Sequence, residues 1–384
     1  MLSVLRLAML VALMVTASYP VVADPVGPAA VATVDAKLWP ETVNTGVGFD
    51  KASRAALLVY LRNLQTLRVM SDAEMMATFK IKSVNRGSVE KWFNAEQASA
   101  LGNYQLAAAD CSKADWTCVA EPESLQLLLA AADAIYTAVP KNAVPWRDNI
   151  DAFTRTYIGE QMRLAALFPR VSSEIDIFSD REWTGSGLAD KQFFLSFDDG
   201  PTAVGGHSDA TLAMLEKEKK SASFFVLGGN FQNRVNATSA ANVKTFYGNQ
   251  CVALHGWEHQ SHAKWELWQD SIIRSQALLA KTLEKNNLLP LFRPPYGQRR
   301  DDSGDFFKTQ SMKVALWNID SQDWNARMDA RAVESRIMAL MLLKRHGVIL
   351  FHDIHPKAAE ALPKIFAGVG NAVTWSDCHA LTAL

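Results

Sequence analysis

Short apolar runs alternate with amphipathic segments through the second half of the chain, and this alternation limits the possible folds more than any other feature. Seven runs have the length and composition of strands, and four amphipathic segments have helical spacing. The predicted strands cover residues 193–197, 223–227, 252–254, 291–292, 313–317, 348–351 and 372–375, and the predicted helices cover 209–219, 266–284, 332–343 and 358–366. Repeated strand and helix units predict a mainly parallel α/β sheet that curves into a distorted (β/α)7-type barrel.

The chain has 384 residues, which exceeds one average domain and predicts two. Residues 24–171 begin with a linker rich in Ala, Val, Pro and Gly and continue with apolar positions at helical spacing. We therefore expect a mainly helical N-terminal domain, of unknown role, before the α/β domain of residues 172–384. The net charge of −1 gives no basic footprint, so no nucleic-acid partner is expected.

The first 23 residues have the pattern of a signal peptide. One Arg at position 6 precedes an apolar run over residues 7–15, and small side chains precede residue 24. This run is shorter than the roughly 20 residues that span a bilayer. We therefore expect cleavage after residue 23, a secreted or periplasmic location, and no membrane span in the mature chain. An uncleaved anchor is the alternative.

Four cysteines follow the predicted cleavage site, and an even number in an oxidising compartment favours disulfides. Three pairings are open. Cys111 and Cys118 form the pair that closes most easily, which would leave Cys251 for Cys378. A structural zinc site is the competing interpretation, but these spacings match none of its usual patterns.

Two adjacent carboxylates, Asp198 and Asp199, follow the apolar strand 193–197 and precede a Gly-Pro turn. Burying one ionised carboxylate beside another is unfavourable unless a cation, a proton or hydrogen-bond donors compensate. The Asp pair therefore predicts a site of chemistry at the end of this strand.

Two histidines, His255 and His259, follow another predicted strand and lie four residues apart. With one carboxylate of the Asp pair they predict a metal site of two His and one Asp, which leaves coordination positions open for water and substrate. The same segment fits His-x-x-Glu-His, the inverted zinc-peptidase motif, in which Glu258 is the base. That alternative needs a helix through both histidines, whereas the preceding strand and Gly256 favour a loop.

Three further segments place polar side chains after predicted strands. Arg293 begins the segment Arg-Pro-Pro-Tyr-Gly at 293–297, where its guanidinium can hold a carboxylate ionised. Residues 317–324 bring two carboxylates and two tryptophans to one strand end, and residues 350–353 end another strand with an imidazole. Because a barrel of parallel strands carries its chemistry at the C-terminal strand ends, we expect these groups to lie together.

The order of these segments resembles the NodB-type polysaccharide deacetylases, carbohydrate esterase family four. The five family signatures are matched by residues 197–201, 255–259, 293–297, 320–324 and 350–352. The resemblance covers about residues 172–384 and does not extend to the helical half. It implies the NodB-homology fold and a hydrolase that acts on carbon–nitrogen bonds other than peptide bonds.

The resemblance also implies roles for individual residues. It implies that Asp199, His255 and His259 hold a divalent metal, and that Asp198 is the general base oriented by Arg293. The expected ion is Zn²⁺, although Co²⁺, Ni²⁺, Mn²⁺ or Fe²⁺ would also suit an Asp-His-His site.

The remaining implied roles concern the leaving amine and the substrate. His352 would be the general acid, and Asp323 would hold and charge its imidazole. The backbone N–H of Tyr296 would stabilise the oxyanion. The residues that would line the substrate pocket are Trp324, Leu350 and Pro295.

Two positions depart from the family pattern: Gly256 replaces a common Ser or Thr, and Asn318 replaces a common Asp. Neither change removes an implied role, so we expect an active enzyme. An inactive carbohydrate-binding module and the zinc peptidase are the alternatives. The expected substrate is N-acetylglucosamine in a polymer, with peptidoglycan first and chitin oligomers or poly-N-acetylglucosamine as competitors. His262 is expected to be a bystander or a substrate contact.

Overall fold

The computed structural model describes residues 28, 30–112, 114–119 and 122–383. The predicted signal peptide, residues 1–23, lies outside these ranges, as does the start of the predicted linker. Within the described ranges, no helix combines the length and the apolar character needed to cross a bilayer.

Five α-helices of the described residues form the first part of the molecule, hereafter the helical region (residues 46–167). They are α1 (Gly46–Arg68), α2 (Asp72–Phe79), α3 (Arg86–Ala107), α4 (Leu125–Ala138) and α5 (Val144–Leu167). The side-chain oxygens of Thr45, Ser71, Asn85 and Ser124 each accept a hydrogen bond from a backbone N–H in the first turn of α1 to α4. These caps satisfy donors that a helix start leaves free. The predicted helical character of this half is confirmed.

Nine parallel strands form one curved sheet, hereafter the barrel sheet. In chain order they are β1 (Glu182–Trp183), β2 (Gln192–Asp198), β3 (Ala222–Val226), β4 (Cys251–Leu254), β5 (Leu288–Phe292), β6 (Lys313–Ala315), β7 (Ile319–Asp320), β8 (Gly347–His352) and β9 (Thr374–Trp375). Their spatial order is β1-β6-β5-β4-β3-β2-β8-β7, and β9 pairs with the start of β2. Because β1 and β7 are edges among the described strands, the barrel stays open, which confirms the predicted distorted (β/α) barrel.

Seven further helices of the described chain connect these strands. They are α6 (His207–Glu218), α7 (Gly228–Ala237), α8 (Ala240–Tyr247), α9 (Trp268–Thr282), α10 (Gly304–Thr309), α11 (Ala330–Lys344) and α12 (Lys357–Val369). Each of the seven predicted strands overlaps a strand of the sheet. The sequence missed β1 and β7, which have two residues each and are too short to show an apolar pattern. It also missed the short helices α7, α8 and α10.

The helical region and the barrel sheet share one hydrophobic core. At the C-terminal end of α11, Ser53 Oγ donates to the Leu342 carbonyl at 2.6 Å, and Asn103 Nδ2 donates to the Leu343 carbonyl at 3.0 Å. These bonds from α1 and α3 satisfy acceptors that a helix end leaves free. Three ion pairs add to this contact: Arg336–Glu160, Lys344–Glu96 and Arg345–Asp50.

Two disulfides join the four cysteines, in the pairing that the sequence favours. One joins Cys111 to Cys118, and the other joins Cys251 in β4 to Cys378 near the C-terminus, 127 residues further along. Closing a long loop removes more entropy from the unfolded chain than closing a short one, so the second crosslink constrains the barrel more.

Candidate active site

The Asp pair lies at the C-terminal end of β2, inside the barrel sheet. Asp198 is the last residue of β2, is 3% exposed, and is in register with His352 at the end of β8. Asp199 follows with a φ of +77°, a left-handed conformation that costs a non-glycine residue about 1–3 kcal/mol. The strand end and this turn place the two adjacent carboxylates against different partners.

Arg293, the first residue after β5, holds Asp198. Its Nη1 donates to Asp198 Oδ1 at 2.8 Å and to Ser196 Oγ at 2.8 Å, while its Nε donates to the Ala315 carbonyl at 3.1 Å. The guanidinium is fully buried, so water does not screen this pair. The other carboxylate oxygen, Asp198 Oδ2, lies 3.9 Å from His255 Nε2. Asp198 is therefore fixed through one oxygen and turns the other toward the histidines.

Asp199, His255 and His259 converge on one point. Asp199 Oδ1 lies 3.2 Å from the Nε2 atom of each imidazole. His255 Nδ1 lies 2.7 Å from the carbonyl oxygen of Arg293, which can only accept. This contact assigns the hydrogen to Nδ1 and leaves Nε2 with a free lone pair.

These three groups fit a divalent cation. Asp199 Oδ1 is buried without a hydrogen-bond donor, and it faces the lone pair of His255 Nε2. Acceptors that face one another repel unless a cation lies between them. Burial lowers the pKa of His259, which favours the neutral imidazole that a metal needs. The structure therefore contains a candidate metal-binding triad of Asp199, His255 and His259.

The charge of Asp199 is also supported by its surroundings. Burial raises the pKa of this carboxyl, but in the metal-free protein, when the imidazoles carry a proton, His255, and then His352 and His259, outweigh burial and hold the pKa well below its usual range. A second described cluster, Cys251 with Cys378 and His379, has its sulfurs in a disulfide and offers no thiolate.

His352, the last residue of β8, is held by Asp323. The two side chains meet through His352 Nδ1 and Asp323 Oδ1 at 2.7 Å, and the backbone N–H of His352 donates to Asp323 Oδ2 at 2.9 Å. Burial lowers the pKa of His352, but Asp323, and then Asp199 and Asp198, raise it to about 10. A divalent cation beside Asp199 would repel this imidazolium and bring its pKa down.

Two aromatic side chains of the signature segments are exposed. Tyr296 is 52% exposed and Trp324 is 37% exposed. The Tyr296 ring lies 4.4 Å from the His259 ring, centroid to centroid, and its backbone has a φ of +60°. By contrast, Leu350 and Pro295 are buried. The exposed rings can contact a substrate directly, whereas the two other side chains are largely shielded from solvent.

The geometry that a zinc peptidase needs is absent from the segment 255–259, which is not helical. Glu258 is exposed, and its Oε2 accepts a hydrogen bond from Gln260 Nε2 at 2.7 Å. A base in the inverted peptidase motif lies on the helix that carries both histidines. The described structure therefore gives the peptidase interpretation no support.

His262 explains why position 256 is glycine. Gly256 has a φ of +85°, and a Cβ there would lie 2.7 Å from His262 Cε1. The buried His262 ring lies 2.9 Å from the Gln260 carbonyl and 3.1 Å from the Ser271 hydroxyl, which accepts from the Trp257 N–H at 2.7 Å. His262 is only 1% exposed, so it packs against and supports the loop of residues 255–259, hereafter the metal-triad loop.

Asn318 has a role in the fold. Its Oδ1 accepts from the Val348 N–H at 2.9 Å, and its Nδ2 donates to the His346 carbonyl at 3.1 Å. An aspartate could accept the first bond but could not donate the second. The departure from the family pattern therefore fastens the start of β8.

Sequence reasoning missed two polar residues of the site. Ser196 bonds to Arg293, and the only signal was a small polar residue within an apolar strand. Asp353 follows His352, is 1% exposed, and has no hydrogen-bond partner for either carboxylate oxygen. Burial raises the pKa of Asp353 to about 7. Its signal was a carboxylate placed directly after an imidazole at the end of an apolar strand.

Comparison with known proteins agrees with this fold. Residues 186–315 match the family model described as polysaccharide deacetylase. A peptidoglycan-N-acetylglucosamine deacetylase of Bacillus cereus is 29% identical over 48% of this chain and 67% of the relative. The peptidoglycan-N-acetylmuramic acid deacetylase PdaC of Bacillus subtilis is 31% identical over 46% of this chain and 35% of its own length. Chitin deacetylase 1 of Saccharomyces cerevisiae is 27% identical over 48% of this chain and 59% of the relative.

Among solved structures, a peptidoglycan N-acetylglucosamine deacetylase aligns with a TM-score of 0.46 and 20% identity, over 53% of this chain and 93% of the other. The relatives and the solved structure match about half of the present chain, and the family model matches about a third of it. Residues 186–315 therefore match the polysaccharide deacetylase family, which agrees with the resemblance to the NodB-type carbohydrate esterase family four. The predicted family and its hydrolase class are thereby confirmed.

Proposed function

We propose that the protein is a metal-dependent N-deacetylase. It would hydrolyse the acetamide of N-acetylglucosamine units in a polymer, releasing acetate and leaving a free amine. The observation that carries the proposal is the meeting of three units at the strand ends: a candidate metal triad, a carboxylate held by arginine, and an imidazole held by a carboxylate.

Asp199, His255 and His259 would hold the ion. Zn²⁺ is the proposed metal, and Co²⁺, Ni²⁺, Mn²⁺ or Fe²⁺ would suit the same donor set. When bound, the cation supplies a Lewis acid for the amide carbonyl and lowers the pKa of water.

Asp198 is the proposed general base. Arg293 occupies Asp198 Oδ1, so Oδ2 is the oxygen that can take a proton from the attacking water. The fixed guanidinium also keeps this carboxylate in one orientation during proton transfer. Asp198 and Asp199 thus have different roles although they are adjacent in sequence.

His352 is the proposed general acid. As the water oxygen joins the carbonyl carbon and the carbon–nitrogen bond breaks, the departing nitrogen needs a proton, and the imidazolium can give it. Asp323 raises the pKa of His352 against the effect of burial and so favours the protonated imidazole. Asp323 therefore acts through the imidazole.

The substrate would be held beside these groups. The backbone N–H of Tyr296 is the proposed oxyanion donor, because Tyr296 lies beside the candidate metal triad, with its ring 4.4 Å from the His259 ring, centroid to centroid. Trp324 would cover the acetyl group, with Leu350 and Pro295 behind it.

Peptidoglycan is the first substrate to test, because two of the relatives named above carry peptidoglycan in their names. Chitin oligomers and poly-N-acetylglucosamine are the other candidates. We further propose that residues 1–23 are removed as a signal peptide, that the mature chain is secreted or periplasmic, and that residues 172–384 form the catalytic domain after a helical domain within 24–171.

The test measures acetate released from peptidoglycan, chitin oligomers and poly-N-acetylglucosamine in parallel. Asp198→Asn should lower release by about 10²–10⁴-fold, the usual contribution of a general base. Glu258→Gln is the matched control and should retain activity, because Glu258 is exposed. If Glu258→Gln abolishes turnover while Asp198→Asn does not, the peptidase replaces the deacetylase. If the wild type binds polymer and metal but releases no acetate, the inactive binding module replaces it.

A further inference from the structure

A cavity of about 1040 Å³ lies between the helical region and the open edge of the barrel sheet, and we call it the seam cavity. Its lining comes from α3 and α5 on one side and from residues at or beside the edge strands β1 and β7 on the other. Its volume matches the upper end of ordinary small-ligand sites, about 300–1,000 Å³. The lining residues that matter below are Trp92, Ser99, Tyr157, Gln161, Glu174 and Asp320.

The seam cavity is separate from the candidate active site but adjoins it through Trp317. This tryptophan lines the cavity, and its ring lies 5.6 Å from the guanidinium carbon of Arg293. Beside it, Gly297 packs against the backbone of Glu174, because a Cβ at 297 would lie 3.3 Å from Glu174 N and from Trp317 Cη2. The two sites therefore share one side chain as a partition.

The lining of the cavity carries an excess of negative charge. Its carboxylates are Glu96, Glu174, Asp176, Asp190 and Asp320. Three of them have basic partners, in the pairs Glu96–Lys344, Asp176–Lys91 and Asp190–Arg345. The arginines whose charges act on Glu174 and Asp320 already have other partners: Arg299 is paired with Glu182, and Arg336 with Glu160. Glu174 and Asp320 therefore have no basic partner of their own, and the donors to Asp320 are the uncharged N–H and Nε2 groups of Gln322, at 2.8 and 2.7 Å.

The pKa values of Glu174 and Asp320 are both raised, as expected for buried carboxyls that have no basic partner of their own. Burial, and then the charge of Asp320, raise the pKa of Glu174 to about 7. Burial also raises the pKa of Asp320. A cation bound between them would favour the ionised carboxylates and would itself be held by charge-assisted hydrogen bonds.

The rest of the lining favours a ligand with hydroxyl groups and apolar faces. Trp92, Tyr157 and Trp317 give the cavity aromatic side chains, and Ser99 and Gln161 give it uncharged hydrogen-bonding groups. An aromatic face also attracts an ammonium group. An amino sugar combines these features, because it has a positive charge, several hydroxyls and apolar C–H faces.

We propose that the seam cavity binds a stretch of glycan that contains glucosamine with a free ammonium group. The identity of this ligand rests on the proposed function, because such units are its product. The helical region then has a definite role, because α3 and α5 form one wall of a second glycan site, beside the site that makes the amine.

Gly102 is a position at which a larger side chain can be placed in the cavity. It lies on α3 in the cavity lining, and a Cβ built there meets no atom within 4 Å. Gly102→Trp should therefore obstruct part of the cavity without disturbing the fold, and Gly102→Ala is the matched control that leaves it open. Glu174→Gln removes one charge with almost no change of shape.

Binding of the glucosamine tetramer is measured by titration calorimetry on the full chain with its metal. The wild type and Gly102→Ala should bind it, Glu174→Gln should bind about 10-fold more weakly, and Gly102→Trp should lose this binding. The N-acetylglucosamine tetramer should bind the cavity at least about 10-fold more weakly, because it lacks the charge. Spermidine, a cation without hydroxyls, is the other comparison ligand.

Tetramer binding that is unchanged in both Gly102→Trp and Glu174→Gln would overturn the assignment. If spermidine binds as tightly as the glucosamine tetramer and the same variants weaken its binding, the assignment of a sugar ligand is wrong. The cavity would then be a cation site only. Acetate release from the N-acetylglucosamine tetramer is measured on the same samples. Absent release with intact tetramer binding would count against the proposed function alone, and the reverse would count against the cavity alone.

Discussion

Two of the buried arginines, Arg293 and Arg336, hold carboxylates in different regions of this molecule, and the two pairs differ in which carboxylate oxygens are left unbonded. At the candidate active site, Arg293 bonds one oxygen of Asp198 and leaves the other facing the histidines. Between α11 and α5, Arg336 bonds both oxygens of Glu160, at 3.1 and 2.7 Å, and the Ala32 N–H donates a third bond at 2.6 Å. One pair retains a free acceptor for chemistry, and the other has none.

This difference predicts which property each pair controls. A carboxylate with every bond satisfied can only hold neighbouring elements together, and the second pair joins the helical region to the barrel. A buried carboxylate with a free oxygen costs stability and is retained where that oxygen has a function. Changes near Asp198 should therefore alter the reaction, and changes near Glu160 should alter folding.

The largest effect should follow from removing a proposed metal ligand beside Asp198. His255→Ala deletes one of the three converging donors, and we expect the bound metal to be lost and kcat/KM to fall by at least about 10⁴-fold, or about 5.5 kcal/mol. Metal content is measured after dialysis, together with acetate release. The control is His355→Ala, whose ring lies 6.4 Å from that of His352 and outside the triad. Full metal occupancy in His255→Ala would refute the ligand assignment.

Breaking the other pair should affect folding instead. Glu160→Gln leaves the buried Arg336 without its charge partner, and the free energy of unfolding should fall by about 3–5 kcal/mol. Chemical denaturation measures the loss, and acetate release per folded molecule should stay within about twofold of the wild type.

Glu334→Gln is the matched control for Glu160→Gln. Its partner on α12 is the exposed Lys364, at 4.0 Å, and such surface pairs contribute about 0–1 kcal/mol. If Glu160→Gln lowered turnover strongly while leaving stability unchanged, the division of the two pairs into reactive and structural would be wrong.

The third effect concerns the proton on His352. Asp323 raises the pKa of this imidazole, so Asp323→Asn should lower that pKa, and the imidazolium should lose its proton at a lower pH. The alkaline limb of the kcat/KM profile should therefore move to lower pH, with a loss of about 10–100-fold near pH 8. Asp302→Asn, an exposed carboxylate paired with Arg300, is the control and should leave the profile unmoved. If the alkaline limb of the kcat/KM profile does not move in Asp323→Asn, His352 is not the general acid.

The sequence predicted the parts of the barrel that have long apolar runs. β2 carries six consecutive buried residues after Gln192, and a run of this kind can be recognised in the sequence. β7 has two residues and is a strand only because β8 lies beside it, in the register Asp320 to Leu350. Elements defined by a neighbour cannot be seen from local pattern, which is why the open edge and its cavity were missed.

The residues of the candidate site also fall into those that the sequence predicted and those that it missed. Asp199, His255 and Arg293 follow predicted strands, and the structure brings them together at the C-terminal ends of those strands. Ser196 and Ser271 act by bonding a functional side chain or its loop, and a lone serine has no sequence signal for that. Long-range pairing of small polar groups depends on packing, so it appears only in three dimensions.

The smallest effect should come from the support of the metal-triad loop. His262→Leu keeps most of the volume against Gly256 but removes the contacts to the Gln260 carbonyl and the Ser271 hydroxyl. Groups that orient metal ligands are worth about 10–100-fold in affinity, and His262 acts one step further away, so we expect about 10-fold weaker metal binding by chelator competition. At saturating metal, kcat should recover, because no reacting group has changed.

The control is His207→Leu, which replaces an exposed imidazole at the start of α6 and should leave the metal affinity unchanged. Unchanged affinity in His262→Leu would mean that Gly256 and His262 only fill space, and that the loop is positioned by its backbone bonds from Gly228 and Gly229.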